Sequence, residues 1–317
     1  MKEFGYVNAK TLDEAVSALS TGKAFIIAGG TDIVGGMKDE IFPEYPDALV
    51  NLKTISPSLD YIREEAGMLK VGALTRLEDI AVNPTIRSKY AALAEAAQKT
   101  ASPHIREMGT IGGNICQLNR CWYFRSSNNR FHCRRKGGRK CYAIAGDNRY
   151  HSIFGGVRGC MAVNPSDTAP ALVALDATIK TSAGRSISAG DFWEAKTPKS
   201  TVLEDDEIVA EIQVPEPAAG VKSAFIKFAL RKSIDFPIVN CAAAIGGRTT
   251  RICLNAVYNN PYRATRAEKF ISGKTINKAN AEAAGDAAVQ GSKALSMNKW
   301  KIQIARVMVK KAILACA

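Results

Sequence analysis

The sequence predicts an α+β protein, and three observations carry that expectation. Short strand-like and helix-like patterns succeed one another along the 317 residues, with no internal repeat and no low-complexity tract. Hydrophobic residues make up 46% and charged residues 23%, which is ordinary for a packed chain and argues against disorder, collagen or coiled coil. Beyond Pro215 and Pro217, several strands and then two helices form a compact α+β unit. At typical domain sizes the length corresponds to two or three domains. No run approaches the roughly 18–20 apolar residues that span a bilayer, so no membrane is expected. The start, MKEFGYVNAKTLDEA, has no apolar h-region; without a secretory signal, a cytoplasmic site is expected.

Taken in order, Thr11 opens a T-x-x-E capping box with Glu14, and Ala15, Val16 and Leu19 follow on one helical face. Ala24–Ala28 (AFIIA) has the pattern of a short buried strand, and Ala28–Lys38 (AGGTDIVGGMK) is a glycine-rich loop. Asp47–Lys53 and Met68–Leu74 read as further strands. An Ala-rich helix is expected over about Tyr90–Ala101, and SPHIREMGTIGGNICQ brings a second glycine-rich turn. Pro165–Ala183 reads as a turn, a short helix and a strand, and EIVAEIQVP as a strand. Glu216–Gly220 is the linker candidate. Strands in SAFIKFALR, AAAIGG and RICLNAVY follow, with helices over about Lys278–Ala294 and Trp300–Ala315.

Charge is concentrated in one place. The net charge is +13, and the window Gln117–Cys160 carries ten Lys or Arg against Asp147 alone, hence +9 of it. A single basic segment points to a local anion: nucleic acid, substrate or an inorganic cluster. Four of the eight cysteines (Cys121, Cys133, Cys141 and Cys160) lie in the same window. A chain this long needs no disulfide framework, so reduced, metal-binding thiols are the better reading, with disulfides as the alternative. No C-x-x-C is present, so neither a zinc ribbon nor a ferredoxin run fits. A 4Fe-4S cluster held by thiolates is an anion that surrounding Arg and Lys would stabilise. His104, His132 and His151 lie close by in sequence and leave a Cys/His zinc site open. Cys116, beside a glycine turn, and Cys241, Cys253 and Cys316, in apolar contexts, are expected to be structural.

The two glycine segments read as one device or as two unrelated turns. Glycines let backbone N–H groups approach a phosphate, and two such loops can cradle a pyrophosphate from two sides. Neither is G-x-G-x-x-G or a Walker A loop. Asp167, in PSD, caps a helix or touches a ligand. Lys227 is a solvent-facing strand residue unless a ligand claims it. No Ser/His/Asp set or paired carboxylates supports hydrolase chemistry.

Together AGGTDIVGGMK, GTIGGN, PSDTAPAL, EIQVP and FIKFALRKSIDFPIV resemble the FAD-binding subunit of the molybdenum hydroxylases, over nearly the whole chain. The segment RCWYFR…FHC…RKC…RGC resembles a subgroup whose flavin subunit carries an extra 4Fe-4S cluster. The resemblance implies a two-part FAD-binding domain of the vanillyl-alcohol-oxidase (PCMH) type over 1–217, with 117–160 as an iron–sulfur insert. A small C-terminal α+β domain over 218–317 would follow. It implies FAD contacts at Ile26, Ile27, Ala28, Gly29, Gly30, Thr31, Asp32 and Ile33, and at Thr110, Ile111, Gly112, Gly113 and Asn114. Thr100 and Asp167 would also touch the cofactor, with Val209 and Lys227 near the isoalloxazine. Cys121, Cys133, Cys141 and Cys160 would be the cluster ligands, with Cys116 as the substitute for Cys160.

The function implied is electron transfer with no catalytic residue on this chain. A large molybdopterin-binding subunit and a small 2Fe-2S subunit would be partners, and NAD, ferredoxin or a quinone the external carrier. Two other classes stand beside it. One is a metal-stabilised nucleic-acid-binding protein, suggested by Trp122, Tyr123, Phe124 and Phe131 interleaved with Arg. The absence of basic patterning elsewhere argues against nucleic acid. The other is a stand-alone FAD oxidase, disfavoured because no substrate-binding base or covalent-flavin histidine stands in the motif positions.

Overall fold

The computed structural model describes residues 1–231 and 233–317. Lys232, inside the FIKFALRKSIDFPIV motif, lies outside the described residues. The first part of the chain builds a small parallel sheet. Its strands are β1 (Gly5–Asn8), β2 (Ala24–Ile27) and β3 (Ala48–Asn51), in spatial order β1-β3-β2. Helix α1 (Leu12–Leu19) supplies the crossover, and Thr11 Oγ1 caps it by accepting the Glu14 N–H at 3.1 Å. The Glu14 carboxylate reaches back to the Lys10 N–H, one residue outside the expected box. Helix α2 (Ile33–Lys38) follows the first glycine loop. AFIIA is not the buried strand expected: β2 is an edge strand, half-buried throughout, because its outer side borders a groove.

A five-stranded antiparallel sheet comes next. It comprises β4 (Ile62–Glu65), β5 (Met68–Gly72), β6 (Thr178–Thr181), β7 (Ser186–Ser188) and β8 (Val209–Pro215), ordered β4-β5-β8-β6-β7. On its core side lie α3 (Leu77–Val82), α4 (Pro84–Lys89), α5 (Ala91–Gln98), α7 (Ile111–Cys116) and α8 (Thr168–Ala174), while the short α6 (Pro103–Arg106) meets α3. Small residues let α5 and α8 pack closely: Ala92, Ala94, Ala96 and Ala97 on one, Ala169, Ala171 and Ala174 on the other, are all buried.

The last part is a four-stranded antiparallel sheet, β12-β11-β10-β9. Its strands are β9 (Lys222–Phe228), β10 (Val239–Gly246), β11 (Thr249–Asn255) and β12 (Tyr262–Arg263), and helices α9 (Thr265–Ile271), α10 (Lys278–Ala288) and α11 (Trp300–Leu314) follow. Both faces of this sheet are covered. Ala242 and Ala244 on β10 join the central core with Phe225 and Cys253, while Cys241 and Ala243 face a second core under α9–α11. Alternation with period two therefore splits one strand between two cores. Phe225 is fully buried where this sheet meets α5, a burial that stabilises by about 1.5–3 kcal/mol. Cys241, Cys253 and Cys316 are all buried. No helix among the described residues is long and apolar enough to cross a membrane.

Candidate flavin groove and cysteine cavity

A groove of about 1110 Å³ opens between the small parallel sheet and the five-stranded unit. The first glycine segment forms one wall. Gly30 sits at φ +74°, a left-handed turn that suits glycine. A Cβ on Gly29 would overlap the Met108 carbonyl, so the two glycine segments touch there and no side chain fits between them. The backbone N–H groups of Gly29, Gly30, Thr31 and Asp32 donate to no protein acceptor among the described residues. Such a run of free amides is an anion nest.

The second segment works differently from the sequence expectation. GTIGGN is not a turn with free amides but the start of α7, capped by Thr110 Oγ1, which accepts the Gly113 N–H at 3.1 Å. The amides of Ile111, Gly112 and Asn114 go to the carbonyls of Thr75, Ala73 and Thr110. Its glycines serve close approach: a Cβ on Gly112 would come within 2.8 Å of the Ala73 carbonyl. The first loop offers a run of unengaged backbone donors; the second keeps only the Thr110 N–H free among the described residues and otherwise offers a smooth wall.

Ile26, Ala28, Gly29, Gly30, Thr31, Asp32, Ile33, Thr100, Thr110, Gly112, Gly113, Asn114, Asp167 and Val209 all line this groove. Ile27 and Ile111 do not: Ile27 packs with Phe25 and Phe42, and Ile111 is fully buried in the central core. Lys227 does not line it either, and it is not the solvent-facing residue of the bland reading. Its side chain is 7% exposed, and its Nζ donates to Asp167 Oδ2 at 2.7 Å and to the Lys99 carbonyl at 2.8 Å. Asp167 caps nothing with its side chain. Ser166 Oγ takes the Ala169 N–H instead, while Asp167 accepts from Lys227 and, at 2.7 Å, from Asn240. Burial pushes the Asp167 carboxyl above the usual carboxylate range, and Lys227 opposes that shift. Asn240 was not legible in the sequence, although it is the single polar side chain in the apolar strand β10, because nothing local marks its partner Asp167.

Asp32 is more than a groove residue. Its carboxylate accepts from Arg125 at 2.6 Å, Arg120 at 2.9 Å and the Leu118 N–H at 3.0 Å, which ties the first glycine loop to the cysteine-bearing segment. Arg120 also lies over the Phe236 ring, 4.4 Å from its centroid, at the groove's other wall. Burial brings the Arg120 guanidinium down to about 10, still charged at neutral pH.

The cysteine-bearing segment is largely irregular, and it gathers Cys121, Cys133, Cys141 and Cys160 around one small cavity of about 10 Å³. Cys116 is elsewhere: it lines the flavin groove, and burial pushes its thiol up to about 12. Among the described residues no three His, Cys, Asp or Glu side chains converge on a point that would hold a single metal ion. Arg135, 4% exposed, is buried in this cavity's wall; Lys136, 2% exposed, follows it in the chain but lines the larger groove, its Nζ 5.2 Å from the Phe124 ring centroid. Arg135 Nε and Lys136 Nζ have no hydrogen-bond partner. Arg135 Nη2 donates to the Lys199 carbonyl and Ser200 Oγ, but a buried N–H left unpaired, as at its Nε, is costly, and an anion in the cavity would offset that cost. The thiol of Cys121 is held at about 12 by burial, so it stays protonated unless a metal replaces the proton. The free cations Arg130, Arg134, Arg139 and Lys140 are exposed on the loop between and around Cys133 and Cys141. Trp122, Tyr123, Phe124 and Phe131 are not a stacking platform for bases. Phe124 is buried, and Tyr123 packs edge-on against Trp122 and Phe131.

Comparison with known proteins agrees with this layout. Residues 2–217 match the family model described as FAD binding domain in molybdopterin dehydrogenase, and residues 224–316 match the CO dehydrogenase flavoprotein C-terminal domain. The chain is 36% identical to the aldehyde oxidoreductase FAD-binding subunit PaoB of Escherichia coli K12, over 86% of this chain and 87% of that protein. It is 30% identical to the nicotinate dehydrogenase FAD-subunit of Eubacterium barkeri, over 89% of this chain and 84% of that one. Among solved structures it superposes on carbon monoxide dehydrogenase from Hydrogenophaga pseudoflava with a TM-score of 0.77 at 27% identity, covering 99% of this chain and 97% of that one. The chain therefore belongs to the FAD-binding flavoprotein family of the molybdopterin dehydrogenases, oxidoreductases also called molybdenum hydroxylases.

Proposed function

We propose that this chain is the electron-transfer flavoprotein subunit of a multi-subunit molybdenum hydroxylase. One observation carries the reading: free amides of the first glycine loop face a groove whose opposite wall is glycine, in a chain that matches the family from end to end. FAD, when bound, supplies one- and two-electron chemistry. The chain's own residues bind and orient it. Gly29–Asp32 amides take the diphosphate, and Gly112 and Gly113 admit it closely. Thr100, Asn114, Asp167 and Val209 line the remainder, with Lys227 acting through Asp167. No side chain is assigned as nucleophile or general base. By the pattern of the named relatives, the substrate site is on a large molybdopterin-binding subunit, and a small subunit carries 2Fe-2S clusters. Residues 1–217 form the FAD-binding domain with 117–160 as its insert, and 218–317 the C-terminal domain.

The second part of the proposal is a 4Fe-4S cluster held by Cys121, Cys133, Cys141 and Cys160. The supporting facts are four thiols around one cavity and the buried Arg135 on its wall, whose Nε has no hydrogen-bond partner among the described residues. The exposed cations Arg130, Arg134, Arg139 and Lys140 suit an acidic external carrier such as ferredoxin; NAD and quinones are the other acceptors. The same reading puts the chain in the cytoplasm, where thiols stay reduced. The test is anaerobic purification with flavin and iron quantified for the chain and for Cys141→Ser. Equimolar FAD in both, with iron at the level of a cube only in the unsubstituted chain, is expected. Absence of flavin defeats the FAD reading, and zinc in place of iron defeats the cluster.

A further inference from the structure

His151 is the one histidine that meets the cysteine cavity's ligand set. It is 3% exposed, and its Nε2 lies 3.2 Å from Cys121 Sγ. Trp122 and Tyr123 pack against the ring, at centroid distances of 5.8 and 6.2 Å. Its Nδ1 is buried with no partner. A proton on Nε2 faces the sulfur and leaves only a lone pair unsatisfied. A proton on Nδ1 would bury an N–H without an acceptor and set the Nε2 lone pair against a metal-bound sulfur's own.

The backbone that carries the ring is fixed by the C-terminal part of the chain. The His151 carbonyl accepts from Asn298 Nδ2 and from Lys301 Nζ, each at 3.0 Å. Asn298 and Lys301 are both fully buried. Lys301, at the start of α11, spends its other donors on the carbonyls of Tyr150 and Ala256, at 3.2 and 2.8 Å. Asn148 binds Ser296 Oγ and accepts the Met297 N–H. These bonds clamp residues 148–152 onto the segment leading into α11. Neither Lys301 nor Asn298 lines the flavin groove.

We propose that His151 donates an Nε2–H hydrogen bond to the Cys121 thiolate and thereby raises the reduction potential of the iron–sulfur cluster, with Asn298 and Lys301 as positioning residues. The inference rests on the cluster reading above. Reduction adds one negative charge to the cluster and breaks no bond. A hydrogen bond to a ligand sulfur favours that more negative state. The C-terminal part would then tune a redox group to which it contributes no ligand.

The test uses the full chain, purified anaerobically, with iron quantified and the cluster midpoint read by an EPR-monitored redox titration. His151→Phe keeps a ring against Trp122 and Tyr123 but has no N–H; His151→Gln keeps a donor. The expected result is iron retained in both, a midpoint shifted to lower potential in His151→Phe, and one nearer the unsubstituted chain in His151→Gln. Asn298→Ala is expected to shift the midpoint the same way by less. A midpoint unmoved in His151→Phe, an equal shift in both ring variants, or iron lost from both overturns the proposal. An unsubstituted chain with no iron–sulfur signal is a different failure: it removes the cluster itself.

Discussion

Lys227→Met is the most demanding test of the groove's construction. Lys227 on β9 and Asp167 ahead of α8 form an ion pair with side chains 7% and 3% exposed, 2.7 Å apart. The substitution keeps the length of the stem and removes the charge, which leaves Asp167 buried with Asn240 as its remaining side-chain donor. Breaking a buried pair from one side costs about 3–5 kcal/mol, because the surviving charge keeps its desolvation penalty. At 1.36 kcal/mol per decade that is roughly a 10²–10⁴-fold loss in the folding equilibrium constant. The variant has one escape, protonation of Asp167. Burial already raises this carboxyl, and without Lys227 it rises further. A carboxyl raised in the folded state binds its proton more tightly there than in the unfolded chain. Its penalty is therefore absent below the unfolded carboxylate range and grows as pH rises to the folded value. Lys227→Met should lose most stability at neutral pH and regain part of it in mild acid. The double variant Lys227→Met/Asp167→Asn should be more stable than the single one at neutral pH, since no charge remains to be buried. Urea denaturation of the unsubstituted chain, Lys227→Met, Asp167→Asn and the double variant at both pH values measures this cycle. A single-variant cost below about 1 kcal/mol, or a double variant no better than the single, would refute the reasoning.

Two further outcomes follow from other contacts. Gly29→Ala places a methyl against the Met108 carbonyl, backbone against backbone, and must part the two glycine segments. Overpacking of about 1–3 kcal/mol corresponds to a roughly 5- to 150-fold weaker FAD affinity, read by flavin fluorescence on titration. Unchanged affinity would mean that the segments do not enclose the cofactor. Asp32→Asn removes the carboxylate that holds Arg120, Arg125 and the Leu118 N–H. A loss of about 1.5–3 kcal/mol per charged hydrogen bond should raise amide exchange over residues 117–125, and identical exchange would sink the latch.

Some of this was open to inspection in the linear chain, and the reasons are local. Thr11–Glu14 marks a helix start because capping is a matter of adjacent residues. The first glycine loop could be read because a run of Gly after a strand has few uses. Four cysteines coinciding with nine net positive charges is a compositional fact that needs no coordinates. The family resemblance, carried by five motifs in order, was legible too and agrees with the matched family models. Where the reading went astray, tertiary partners were the cause. AFIIA has the apolarity of a buried strand, but sheet order put it at an edge. GTIGGN looks like a second nest, but the carbonyls of Ala73 and Thr75, over thirty residues away, take its amides.

The sequence alone determined what chemistry the chain can hold: glycines for close backbone approach, clustered thiols, and a basic collar around them. Those properties belong to single residues and their neighbours. Only the tertiary structure decided which groups are free to use them. Lys227 turned inward because β9 lies over Asp167, Cys116 went to the groove while Cys160 went to the cavity, and a C-terminal lysine came to hold a histidine against Cys121. Hydrogen-bond partners and burial depend on which segments pack together, and pattern within one segment carries no record of that.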